Sequence, residues 1–100
     1  MTKMTENIIK AIQTVPRGRV SCYRDIALKA GLQNGARQVA RVLHSMSEKY
    51  GLPWQRIIRV DGFIALESGQ GREEQIALLR NEGIEVSNNG WVNLDKYGYR

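Results

Sequence analysis

Apolar residues recur at near-helical intervals at the start of the chain, at Ile8, Ile9, Ile12 and Val15. This spacing predicts an amphipathic helix over residues 5–15, closed by Pro16, which has no amide hydrogen to continue a helical ladder. "PRGRV" then reads as a turn, in which proline fixes one backbone angle and Gly18 permits a bend. After a short extended piece from Val20, Ser21 can cap a second helix, "CYRDIALKAG", with Gly31 as its stop. "LQNG" is a loop. Beyond it, "ARQVARVLHSM" sets Val39, Val42, Leu43 and Met46 on one face and Arg37 and Arg41 on the other. Two short helices joined by a glycine-containing turn, the second opening with arginine, make a helix-turn-helix-like pair.

A loop over residues 47–55 precedes a change of pattern. "RIIRV" and "GFIAL" flank Asp61-Gly62, a hairpin-turn signal that predicts a two-stranded wing. Residues 70–82, "QGREEQIALLRNE", predict a helix with Ile76, Leu79 and Ala77 facing inward and Gly83 ending it. "IEV", "SNNG" and "WVNL" predict a last short hairpin. The expected fold is mainly α with a small β component, a winged-helix-like helix-turn-helix. Residues 1–100 read as a single domain, with no repeat, low-complexity segment or linker.

Composition narrows the function classes. The chain is 42% hydrophobic and 25% charged, ordinary for a globular protein. No apolar run approaches the roughly 20 residues that a membrane helix needs. The opening "MTKMTENIIKAIQ" lacks the apolar core of a signal peptide, so cytoplasmic residence without a membrane partner is expected. Cys22 is the only cysteine, which excludes an intramolecular disulfide and leaves no thiolate set for zinc. His44, the only histidine, falls inside an expected helix with no catalytic motif around it. Nothing resembles a phosphate-binding loop or a dinucleotide fingerprint, and no cofactor or metal is expected.

Charge is uneven along the chain. Residues 17–59 hold nine lysines and arginines against Asp25 and Glu48, whereas residues 60–100 hold four against seven acidic residues. A basic middle segment within a net charge of +5 is the pattern of a face that meets a polyanion. It fits a solvated arginine-rich surface equally well.

The ordered motifs "VPRGRVSCYRDIALKAG", "ARQVARVL", "PWQRII" and "ALLRNEG" resemble the C-terminal domain of the O6-alkylguanine-DNA alkyltransferases. They are similar above all to the alkyltransferase-like proteins. The resemblance covers roughly residues 7–83 and leaves 84–100 outside the family core. In the alkyltransferases the central motif is Pro-Cys-His-Arg, whose cysteine takes the alkyl group as a thiolate activated through the histidine. By the resemblance, Trp54 holds the cysteine position and Gln55 the histidine position, between Pro53 and Arg56. An indole offers only an N–H donor and no ionisable nucleophile near neutral pH. The expected protein is therefore not an enzyme. The more usual alkyltransferase-like motif is Pro-Trp-His-Arg, so Gln55 departs from it and no protonation role carries over. Glu67 falls near where some relatives place an arginine against the flipped base, and that contact does not carry over either.

The resemblance assigns further roles. Tyr23 matches the tyrosine that rotates the target nucleotide, and Arg37 the arginine finger that fills the vacated base stack. Arg24, Ala36 and Gln38 complete the expected DNA-contacting set. Tyr23, Leu43, Trp54 and Ile57 are the expected alkylguanine pocket, with Ile57 in a loop that presents backbone carbonyls to the base. Arg17, Arg19, Lys29 and Arg41 are general candidates for phosphate contact; Pro16, Gly18, Val20 and Ala27 are architectural.

The implied function is binding of O6-alkylguanine in duplex DNA by minor-groove docking and base flipping, without alkyl transfer. It extends to flagging the lesion for nucleotide excision repair proteins, with the protein acting as a monomer. Two alternatives stay open: a winged-helix transcription regulator, and a self-sacrificing alkyltransferase that uses Cys22.

Overall fold

The computed structural model describes residues 1–99. In chain order the elements are α1 (Lys3–Gln13), β1 (Ser21–Cys22), α2 (Tyr23–Lys29), α3 (Ala36–Tyr50), a 3-10 turn (Trp54–Arg56), β2 (Ile57–Ile58), α4 (Arg72–Asn81) and α5 (Leu94–Tyr97).

Ile8, Ile9, Ile12 and Val15 are all buried, so the apolar face read from the spacing is the packed face. The helix beneath it runs earlier than expected. Thr2 caps it by accepting a hydrogen bond from the Thr5 amide, and it closes at Thr14 before Pro16 is reached. Val15 packs from the turn that follows.

Two apolar clusters form. The first gathers α1, α2 and α3 with Leu52 and Ile57; the second gathers Val20, Ile58, Ile64, Leu79, Ile84, Val86 and Val92. Between them lies a sheet of two parallel strands, with Ser21 opposite Ile57 and Cys22 opposite Ile58. Side chains alternate across a strand, so consecutive residues serve opposite faces. Ile57 accordingly joins one cluster and Ile58 the other.

That double burial corrects the expected wing. The Asp61-Gly62 turn forms, with the Gly62 amide bonded to the Arg59 carbonyl and the Arg59 amide to the Phe63 carbonyl, both at 2.9 Å. Its flanks do not pair as two strands. Ile57-Ile58 is the apolar run of a strand covered on both faces, and it pairs with β1 instead. The final hairpin is corrected likewise: a turn closes from Ser87 to Trp91, but Val92 and Gly90 bond to Gly62 and Ile64. Asn93 then caps α5 through its side chain instead of extending a strand.

Other differences are local. Ser21 does not cap α2; it belongs to β1, its hydroxyl is buried without a hydrogen-bond partner among the described residues, and Cys22 precedes the helix. The expected loop from residue 47 is helical as far as Tyr50, where Gly51 ends α3 in a left-handed conformation. On α4, Leu79 is buried as expected, Ala77 is exposed, and the polar Gln75 takes an inward position. Residues 84–97 complete the second cluster, through Ile84, Val86 and Val92 with Leu94 and Tyr97 against them.

Candidate nucleic-acid interface

The pair α2–α3 depends on a tight turn. A Cβ placed on Gly35 would meet the Leu32 Cβ at 2.7 Å and the Ala27 Cβ at 3.1 Å, so only glycine lets α3 start this close to α2. Ala36 opens α3, and Arg37, Gln38 and Arg41 are exposed along its first two turns. None of the ion pairs among the described residues takes up Arg37 or Arg41. Arg24 is also exposed, although its guanidinium lies 3.6 Å from Asp25. Other basic candidates are spent on the fold: Arg17 donates to the Asn81 carbonyl, Arg19 to the Lys96 carbonyl, and Lys29 lies over the Tyr99 ring.

Behind this basic edge is a cavity of about 790 Å³. Tyr23 contributes from α2, and Ala40, Leu43, His44, Ser47 and Glu48 from α3. Gly51, Leu52 and Trp54 close it from the following loop, with Leu66, Gln70, Gly71 and Gln75 opposite. Arg37 precedes Ala40 by three positions and His44 by seven, so it stands on the same face of α3 as the wall. The structure thus brings Tyr23, Leu43 and Trp54 together around one space, with Arg37 at the near end of the helix that lines it. Burial pushes the Tyr23 phenol up, so its hydroxyl stays protonated and neutral at physiological pH.

Ile57 is placed differently from expectation. Its side chain is buried in the first cluster and does not line the cavity, and its carbonyl accepts from Gln75 Nε2 at 3.1 Å. The same amide nitrogen reaches the Gln55 carbonyl at 3.0 Å. Gln75 therefore pins the backbone on the far side of Trp54. Its polar identity hid this in the sequence; the available signal was its position one turn before Leu79, in the buried phase of α4. His44 and Glu48 were also missed, although their spacing from Arg37 places them on its face.

The loop carrying Trp54 is anchored a second time. Pro53 leads into the 3-10 turn, within which Gln55 and Arg56 stay out of the cavity wall and reach Glu82. Gln55 Nε2 and Arg56 Nε donate to that carboxylate at 2.8 and 3.0 Å, and the Gly18 amide donates to it at 2.8 Å. Burial pushes the Glu82 carboxyl up, but these three donors outweigh it and hold it below the usual carboxylate range. Cys22 is 3% exposed and lies outside the cavity wall. Burial pushes its thiol up, outweighing the opposing hydrogen bond from the Asp25 backbone. Among the described residues, no group of three or more His, Cys, Asp or Glu could hold a metal ion, and no helix is long and apolar enough to cross a membrane.

Comparison with known proteins agrees with this geometry. Residues 3–84 match the family described as 6-O-methylguanine DNA methyltransferase, DNA binding domain. The chain is 38% identical to a DNA base-flipping protein of Vibrio parahaemolyticus, over all of this chain and 99% of that one. It is 30% identical to alkyltransferase-like protein 1 of Schizosaccharomyces pombe, over 86% of this chain and 81% of that one. The solved structure of S. pombe Atl1 with damaged DNA containing O6-carboxymethylguanine superposes with a TM-score of 0.89 at 28% identity, covering 100% of this chain and 97% of that one. The helix-turn-helix, the cavity behind it and these likenesses place the chain in the 6-O-methylguanine DNA methyltransferase DNA-binding family, as an alkyltransferase-like member of it.

Proposed function

We propose that this protein binds O6-alkylguanine in duplex DNA, docking α2 and α3 in the minor groove and turning the damaged base into the cavity beside Trp54. The carrying observation is the placement of Tyr23, Leu43 and Trp54 around one space, with the exposed cation of Arg37, in no ion pair among the described residues, on the helix that walls it. Flipping costs a few kcal/mol, less for a damaged pair. Stacking on an aromatic ring returns about 1–3 kcal/mol, enough to offset much of it. Arg37 fills the gap left in the stack, because a planar guanidinium both stacks and donates to the orphaned base. Ala36 and Gln38, beside it on the first turn of α3, meet the backbone together with Arg24.

No alkyl transfer follows in this reading. Trp54 stands where the catalytic relatives hold their nucleophile, and Gln55 is committed to Glu82. The one thiol, Cys22, is buried and held as the protonated form, which also argues against its acting as acceptor. The protein acts as a cytoplasmic monomer, and the stable complex flags the lesion for nucleotide excision repair proteins. Incubation with an O6-methylguanine duplex followed by base analysis tests the reading. The methyl group stays on guanine and the protein mass is unchanged; demethylated guanine or a methylated chain overturns it.

A further inference from the structure

The cavity's wall is unbalanced in charge. Glu48 lines it, and among the described residues lining it there is no lysine or arginine. Of the cations next to wall residues in sequence, Arg24 lies against Asp25, Arg41 does not line the cavity, and two more are turned elsewhere. Arg72, next to Gly71, donates to the carbonyls of Ile64, Leu66 and Asn89, and Lys49, next to Glu48, lies over the Tyr50 ring. The Tyr23 phenol is neutral, and the other ionisable wall residue is His44, one turn before Glu48. At about 790 Å³ the space is of the size that takes drug-like molecules, so volume does not discriminate among small O6 substituents.

Resting on the lesion-binding reading above, we infer that the pocket selects O6-alkyl groups by charge, disfavouring anionic substituents relative to neutral or cationic ones, with Glu48 as the specificity-determining residue. The duplex phosphates are common to every lesion and cancel in the comparison; what differs is the charge that the substituent carries into the wall. One carboxylate approaching another within several ångströms, in surroundings open to water, is disfavoured about three- to tenfold. The O6-carboxymethyl lesion, with which S. pombe Atl1 was solved, serves as the anionic probe.

The test uses duplexes of one sequence carrying unmodified guanine, O6-carboxymethylguanine, its neutral isostere O6-carbamoylmethylguanine, or O6-(2-aminoethyl)guanine. Affinities are read by fluorescence anisotropy at fixed salt. The expected order places the carboxymethyl lesion about three- to tenfold below its isostere, with the aminoethyl lesion at or above the isostere. Glu48→Gln brings the ratio of carboxymethyl to isostere to near one, and Glu48→Lys reverses it. Glu48 is exposed on α3, so both variants keep the fold, which circular dichroism verifies. Repeating the pair in a His44→Gln background keeps imidazole charge out of the comparison, and the ratio persists. Equal or tighter binding of the carboxymethyl lesion overturns the inference alone, as does a ratio that Glu48→Gln leaves unmoved. Failure to distinguish any lesion from unmodified duplex overturns the lesion-binding reading and this inference with it.

Discussion

Gln55 and Glu82 meet side chain to side chain, the Gln55 amide donating to the carboxylate at 2.8 Å. Arg56 joins them at 3.0 Å and also donates to the Val15 carbonyl, so the residues after Trp54 are tied to the end of α4 and to the turn beyond α1. The Glu82 side chain is 3% exposed and that of Arg56 16%. Removing Arg56 takes the cation from a sheltered carboxylate that keeps only the Gln55 and Gly18 amides as donors. Arg56→Ala is expected to lower stability by about 3 kcal/mol, read from the urea midpoint. A loss below a few tenths would mean that water replaces the guanidinium freely.

Acid should act through the same carboxylate. Its folded-state value lies below the ordinary glutamate value of about 4.3, so the unfolded chain takes up the proton first. The stability from Glu82 is complete above that ordinary value and is lost as pH falls through the folded one. Urea midpoints of the wild type and Glu82→Gln should therefore differ at neutral pH and converge between about pH 4 and lower values. A gap independent of pH would show that the ionised form is not what the site holds.

Trp54→Ala removes the aromatic wall while leaving the exposed start of α3 untouched. The loss is expected in the preference for alkylated over normal duplex, about 1–3 kcal/mol, with affinity for normal duplex little changed. Equal losses on both duplexes would assign Trp54 to packing.

Arg37→Ala should weaken lesion binding by about 1–3 kcal/mol and reduce flipping with it, the latter followed by a fluorescent base analogue at the lesion site. Wild-type binding should also fall steeply with salt, since phosphate contacts release counterions. Weakened binding with undiminished flipping would reduce Arg37 to a phosphate contact.

The helical part of the fold was legible because its signals are local. Ile8, Ile9 and Ile12 mark α1 and Gly35 precedes α3, whereas the end of α3 at Gly51 was read as loop from residue 47. Pairing was not legible. Ile57 and Ile58 look like one arm of a hairpin until β1, more than thirty residues earlier, is known to lie beside them. Within the candidate site, Tyr23, Leu43 and Trp54 were reached through motif resemblance. Gln75 was not, because a buried amide serving the carbonyls of Gln55 and Ile57 is defined only by tertiary neighbours. Glu48 escaped for the opposite reason, as an exposed helix glutamate whose only signal was its spacing from Arg37.

The two clusters differ in how far the chain must travel to close them. The first draws its buried residues from Ile8 to Ile57, chiefly through three successive helices. The second joins Val20 to Val92, and the Val20 amide and carbonyl bond to Tyr97 and Tyr99 near the other end of the described chain. Loop closure over that span costs more entropy and is completed only when the last segment arrives. During synthesis, the half that carries Arg37 can therefore condense while the half that braces Trp54 is still waiting for its final strap, an order that pulsed hydrogen exchange during refolding would register as earlier protection in α1–α3 than around Ile64 and Val92.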